Sequence, residues 1–302
     1  MTKAPPTPKG FRDIVPDLAK RRREITSKIV DILEGFGFVP IETPTIEFAD
    51  TLKGKYGEEE KLIYQFEDRG GRKLALRYDL TIPLARYVAT YNPSLPFRSY
   101  RIGQVFRGEN PQKGRWREFT QFDFDSVGSN DLEEDAKVVA IAIKCMRDLG
   151  FKDAIMLIND RANFADLPLE VIRAIDKINK IGEEGVIGEL ISGGMSQDKA
   201  QEAVDKIRSQ KPTSNLAQIF NILKEKYSFQ EVEDFKFDPT LARGLDYYTG
   251  AIFELKPDQD PISLSIGAGG RYDNLIGTFS KKEIPAVGFS FGLDRLLETL
   301  YP

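Results

Sequence analysis

The chain has 302 residues, 41% of them hydrophobic and 30% charged, with a formal net charge of −4. Those values fit a globular protein of one large domain plus a smaller one and exclude a disordered chain or a uniformly basic nucleic-acid binder, although a local basic patch stays open. No stretch approaches the roughly 20 apolar residues of a spanning helix. The opening "MTKAPPTPKGFRD" lacks the apolar run of a secretion signal, so a cytoplasmic, non-membrane protein is expected. The single cysteine, Cys145, excludes an internal disulfide and a cysteine-cluster zinc site; its apolar helical setting reads as an inert core thiol. The chain contains 0 histidines. Ser-His and Cys-His nucleophile pairs and histidine-ligated metals are therefore ruled out, and chemistry must rest on Arg, Lys, Asp, Glu, Tyr, hydroxyls or a metal held by oxygen ligands.

In chain order, "AKRRREITSKIVDILEGFGF" reads as a helix with Ile25, Ile29, Ile32 and Leu33 inward and Gly35 as its stop. "FVPIETPTIEF" reads as an edge or interface strand. "IYQFE" and "KLALRY" flank the turn "DRGGR" as a hairpin, and "TIPLARYVATY" is a short helix with Asp79 as a candidate cap. "SYRIGQVFRGE" and "REFTQFDFDSVG" form a second strand pair around the polar loop "NPQKGRW". "DLEEDAKVVAIAIKCMRDLG" follows as a helix capped by Asn130, then the strand "DAIMLIND". Residues 162–232 carry charged helical patterns with no strand signal and read as an insertion between core segments 1–161 and 233–302. "AIFELK", "ISLSIGAGGRYD" and "AVGFSF" return to strand character, and "GLDRLLETLYP" closes the chain as a helix. Hairpins with late helices and no regular βαβ alternation predict an α+β fold with a mostly antiparallel sheet.

Chemistry concentrates in four places. Strand alternation puts Arg117, Phe119, Gln121, Asp123 and Asp125 on one face, with Arg107 and Glu109 sharing a face of the preceding strand. Such a face is either a polar floor for a ligand or a solvated surface with charges paired across strands. The loop residues Lys113 and Arg115 could close over phosphates or simply lie in water. Asp79 and Thr81 stand at a strand end, where a helix cap is the plain alternative. Arg295 sits on the first turn of the last helix, near glycines 288 and 292 that suggest close backbone approach.

Taken together, these segments resemble the catalytic domain of the histidyl-tRNA synthetases, class II aminoacyl-tRNA synthetases, from about Gly10 to Leu300. "GFRDIVP" with "GFVPIETPTIE" resembles the first class II motif, "FRSYRIGQVFRGENPQKGRWREFTQFDFDSVG" the second and "AVGFSFGLDRLLETL" the third. "RGLDYYTGAIFE" and "GAGGRYDNL" resemble the two signatures of the histidine-specific enzymes. The resemblance implies a histidine–tRNA ligase that forms histidyl-adenylate from histidine and ATP, with Mg2+ on the ATP phosphates and no protein-held metal, and then charges the acceptor end of tRNA(His). By the same resemblance, Arg107, Glu109, Arg115, Phe119 and Arg295 hold ATP. Asp79, Thr81 and Gln121 receive the α-amino group of histidine. Asp125, Tyr247 and Tyr248 surround its side chain, with Asp125 and Tyr248 on the two ring nitrogens. Arg243 meets the carboxylate and α-phosphate and shares with Arg107 the catalytic role, and Gln112 touches the tRNA. The first motif implies a homodimer. The family's C-terminal anticodon-binding domain does not follow the third motif in this sequence, which is either a piece of a longer protein or naturally short. The alternative implied by the same fold is a non-catalytic, synthetase-like regulatory subunit of ATP phosphoribosyltransferase.

Overall fold

The computed structural model describes residues 5–112, 114–243, 247–260, 263–280 and 282–301. The chain divides into two compact units: Met1–Phe124 with Leu275–Glu283 and Ser290–Pro302, and Asp125–Asn274 with Ile284–Phe289.

The first unit begins with α1 (Pro16–Gly35), where proline at the first turn forfeits no helical hydrogen bond. Ile25, Ile29 and Leu33 are buried, four residues apart on one stripe, while Ile32 is only half-buried. The left-handed turn that ends the segment falls on Gly37, φ +80°, and not on Gly35. The predicted single strand after it is two: β1 (Val39–Pro40) and β2 (Ile46–Phe48). Pro40 ends the first and Pro44 lies between them, and the two halves join different sheets. After the short α2 (Ala49–Leu52), β3 (Gln65–Glu67) and β4 (Lys73–Leu76) form the expected antiparallel hairpin. The Asp68 carboxylate accepts from the N–H groups of Gly70 and Arg72 to close its turn. With β2 they make a separate sheet ordered β2-β4-β3. α3 (Thr81–Tyr91) leads to β5 (Phe97–Phe106) and β6 (Glu118–Val127).

The second unit holds α4 (Leu132–Asp148), whose cap is Asp131, not Asn130: its carboxylate accepts from Glu133 N at 2.9 Å. β7 (Ile155–Asp160) is buried throughout. Four helices follow without an intervening strand: α5 (Leu169–Ile175), α6 (Ile178–Ser192), α7 (Gln197–Arg208) and α8 (Ser214–Tyr227). Val171, Ile175, Val186, Leu190, Val204 and Ile207 share one apolar cluster with Ile155 and Ile252 of the strands. β8 (Phe235–Phe237), which carried no clear strand signal, runs parallel to β7. β9 (Ala251–Lys256) and β10 (Gly267–Arg271) are antiparallel. β11 (Ala286–Gly292) ends the sheet strands, and α9 (Leu293–Leu300) follows in the first unit.

The strand order of the large sheet is β1-β5-β6-β11-β10-β9-β7-β8. The pairs β1/β5 and β7/β8 are parallel, while β10/β9 and β7/β9 are antiparallel. Strand β10 is rich in glycine because backbone comes close to it: a Cβ on Gly269 would meet the carbonyl of Gly288 and lie 2.8 Å from Phe289 Cα. Cys145 is buried, and burial pushes its thiol far above the ordinary value, as suits an inert core residue.

Candidate active site

In the first unit, Asp79 lies just before α3 and is 6% exposed. Its Oδ1 accepts from Ile82 N at 3.0 Å, so it closes the first turn of α3 from one residue before the N-cap, Leu80. Burial raises its carboxyl above the ordinary range, while the Ile82 N–H, Arg107, the Tyr56 hydroxyl and the backbone of Thr81 oppose that shift. Arg107 lies with its guanidinium carbon 4.4 Å from the Tyr78 ring centroid and 5.1 Å from that of Phe119. Its Nε donates to the Tyr78 carbonyl at 3.2 Å. Tyr78 in turn donates its hydroxyl to Glu59 at 2.6 Å. A cation fixed between two aromatic faces keeps its outward N–H groups available for an anion.

Strand β6 decides between the two readings of its polar face. Asp123 and Asp125 are 2% and 3% exposed, so the face is buried polar ground and not a solvated surface. Gln121 Nε2 donates to Ser290 Oγ at 2.9 Å, and the Ser290 hydroxyl donates to Asp123. Arg117 turns its Nε to the Glu109 carbonyl, and its own N–H binds Gly10 O, which anchors the "GFRD" segment. The loop after β5 is tightened by Gln112 and Arg115, each accepting the other's N–H, around Gly114 at φ +75°. Arg115 and Gln112 are exposed, and the Arg115 guanidinium pairs with Glu109 at 3.4 Å. Lys113 and residues 244–246 of the "RGLDYY" segment lie outside the described residues. Arg295 is the third residue of α9 and half-buried. Its neighbour Asp294 accepts from Thr120 N at 2.6 Å and from Arg12 at 2.8 Å. That organising carboxylate carries little signal in the sequence beyond being an acid in a helix first turn.

In the second unit, the Tyr272 hydroxyl donates to Asp125. Tyr247 meets Tyr272 edge-on at 6.1 Å and Tyr248 at 4.6 Å. Tyr248 covers Gly270, where a Cβ would come within 3.0 Å of its ring. A buried acid and three phenolic rings thus form one linked group in which Tyr272, from the "GAGGRYDNL" segment, is a hydrogen-bond donor to Asp125. Arg271 holds this strand: its Nε and Nη2 bind Asp135, and its Nη1 binds Ser129 O at 3.1 Å. Arg243 pairs through Nε with Glu254 and donates from Nη2 to Ser265 Oγ at 3.0 Å. Among the candidates, then, Arg107, Phe119 and Asp79 gather in one neighbourhood of the first unit. Asp125, Tyr247 and Tyr248 gather in the second.

The fold is an α+β one of the class II aminoacyl-tRNA synthetase type. A sequence profile described as Histidyl-tRNA synthetase matches residues 10–171 and 185–296. The histidine–tRNA ligase of Aeropyrum pernix is 41% identical, the alignment covering 97% of this chain and 74% of that protein. That of Korarchaeum cryptofilum is 40% identical over 96% and 74%. The chain belongs to the histidyl-tRNA synthetase family. The crystal structure of histidyl-tRNA synthetase from Nostoc sp. PCC 7120 superposes with a TM-score of 0.81 at 29% identity, covering 98% of this chain and 75% of that one. An ATP phosphoribosyltransferase regulatory subunit/histidyl-tRNA synthetase from Bacillus halodurans C also reaches 0.81, at 24% identity, over 100% of this chain and 85% of that one, a likeness of fold. No helix among the described residues is long and apolar enough to cross a membrane.

Proposed function

We propose that the chain activates histidine with ATP to give histidyl-adenylate and then transfers the histidyl group to tRNA(His), working in the cytoplasm as a homodimer. The observation that carries this reading is the buried Asp125–Tyr272 pair beside Tyr247 and Tyr248. An imidazole offers one N–H and one lone pair, and a carboxylate with adjacent phenols answers both. The site residues and the partition into a catalytic core with an inserted helical segment, residues 162–232, are part of the same proposal.

In the activation step a carboxylate oxygen of histidine attacks the α-phosphorus of ATP. The new phosphorus–oxygen bond forms as the bond to the bridging oxygen breaks, and pyrophosphate leaves with that electron pair. Arg107 and Arg243 donate to the phosphate oxygens where negative charge accumulates. Phe119 offers a flat face to the adenine, with Arg295 and Arg115 as further cationic contacts. Asp79, Thr81 and Gln121 receive the α-ammonium group. Glu109 would be a further contact of ATP, whose phosphates would carry Mg2+ to neutralise part of their charge. Gln112, exposed on its loop, would meet the tRNA end.

The purified chain is expected to exchange labelled pyrophosphate into ATP only when histidine is present. No exchange, together with stimulation of an ATP phosphoribosyltransferase, would assign the chain to the regulatory reading instead.

A further inference from the structure

Glu254 is a carboxylate where an ordinary core would place an apolar side chain. It stands in the middle of β9, between β10 and β7, and is 6% exposed. Its cross-strand partners, Ala268 and Leu157, offer no donor side chain. Its charge is met by two cations. Oε2 takes Nε of Arg243, and Oε1 lies 3.3 Å from Nζ of Lys256. Lys256 shares the strand face with Glu254, being two residues on. It is itself only 7% exposed and donates to the Ser263 carbonyl at 2.7 Å. A buried pair of this kind rarely stabilises a fold more than apolar residues of the same volume would, so stability alone is a poor reason for it.

We propose that Glu254 and Lys256 are positioning residues for Arg243, and this rests on Arg243 meeting the α-phosphate as set out above. Anchoring Nε on Glu254 and Nη2 on Ser265 fixes the guanidinium plane and leaves Nη1 to face an anion. Lys256 has a second effect. One carboxylate shared between two cations cannot fully neutralise either, so the group keeps an excess of positive charge. Without Lys256 the carboxylate would be matched by Arg243 alone, and its hold on the arginine would compete with the phosphate. Asp176, just after α5, is another acid that feels this group: burial, with Glu254 adding to it, pushes its carboxyl above the ordinary range while Arg243 and Lys177 oppose the rise, a shift that favours the neutral acid over a charge competing for Arg243.

The test uses the full chain and four variants: Arg243→Ala, Glu254→Gln, Lys256→Met and Lys256→Arg. Each is assayed for histidine-dependent pyrophosphate exchange and for binding of a histidyl-sulfamoyl-adenosine, which mimics the adenylate whether or not turnover occurs. Glu254→Gln keeps size and polarity but can present an oxygen to only one cation. It is expected to lower kcat about tenfold, a fraction of the loss for removing a direct oxyanion donor, with the KM for histidine nearly unchanged. Lys256→Met should weaken analogue binding and kcat in the same sense, and Lys256→Arg should restore both. Wild-type behaviour in Glu254→Gln and Lys256→Met, with Arg243→Ala impaired, would overturn the positioning role alone. An unaffected Arg243→Ala would remove the reading beneath it. Thermal unfolding of each variant separates these effects from loss of fold, and should Glu254→Gln not fold, the Lys256 pair of variants decides.

Discussion

Asp79 is held almost without solvent, closing the first turn of α3 while its carboxyl is pushed above the ordinary range by burial. An acid whose folded-state pKa exceeds its unfolded one binds its proton more tightly when folded, so stability falls as pH rises from the unfolded toward the folded value. Above that window the buried charge is a cost. Asp79→Asn keeps the oxygen that accepts from Ile82 N and removes the charge. The variant is expected to melt at a higher temperature than the wild type at neutral pH, with the difference vanishing in acid, while histidine binding is lost. Equal melting curves across pH would show that the charge is compensated in place. Asp125 calls for a different comparison, because its proposed partner is only the ring. Asp125→Ala should weaken histidine binding at least tenfold while ATP binding stays within about twofold, since an unanswered ring donor costs roughly 1–3 kcal/mol. Titration calorimetry with each ligand separates the two losses.

Elements are tied to one another by similarly few groups. Arg271 on β10 reaches Asp135 on α4, their side chains 8% and 0% exposed, and thereby fixes the strand end from which Tyr272 follows. Removing one partner strands the other as a buried charge. Asp135→Ala should therefore cost about 3–5 kcal/mol of stability, read by chemical denaturation. Most elements could be read from the chain: α1 and α9 by their apolar stripes, the β3–β4 hairpin by "DRGG", β5 and β6 by alternation. The misreadings have local causes. Asp131 displaced Asn130 as cap because either residue can accept the first free N–H groups, and only backbone geometry chooses. β8 gave no signal because three residues are too few to show a period, and its pairing with β7 is a long-range decision. The division of "FVPIETPTIEF" between two sheets is likewise invisible in its composition.

For the whole molecule, assembly is the property most open to test. On the small sheet Ile46, Phe48 and Phe66 are 44%, 56% and 40% exposed. Phe48 and Phe66 both lie opposite Leu74, so they share one apolar face. A second copy of the chain is the proposed cover for apolar surface of the first unit, as the first motif implies. Sedimentation equilibrium should return twice the chain mass, and Phe48→Glu should shift it toward the monomer. A wild-type chain that sediments as a monomer at all concentrations would remove the homodimer from the proposal.

Most of the order of strands and helices, the inert cysteine, the absence of histidine and the family motifs were determined by the sequence alone, because each depends on neighbours a few residues away or on residue type. The pairings were decided by the tertiary structure: Tyr272 on Asp125, Ser290 between Gln121 and Asp123, Asp294 on Thr120, and Glu254 with Lys256 on Arg243. These groups are mostly far apart along the chain or chosen among several equivalent acids and phenols. A buried polar side chain takes whichever partner the packing brings within about 3 Å, and a linear pattern carries no record of that distance.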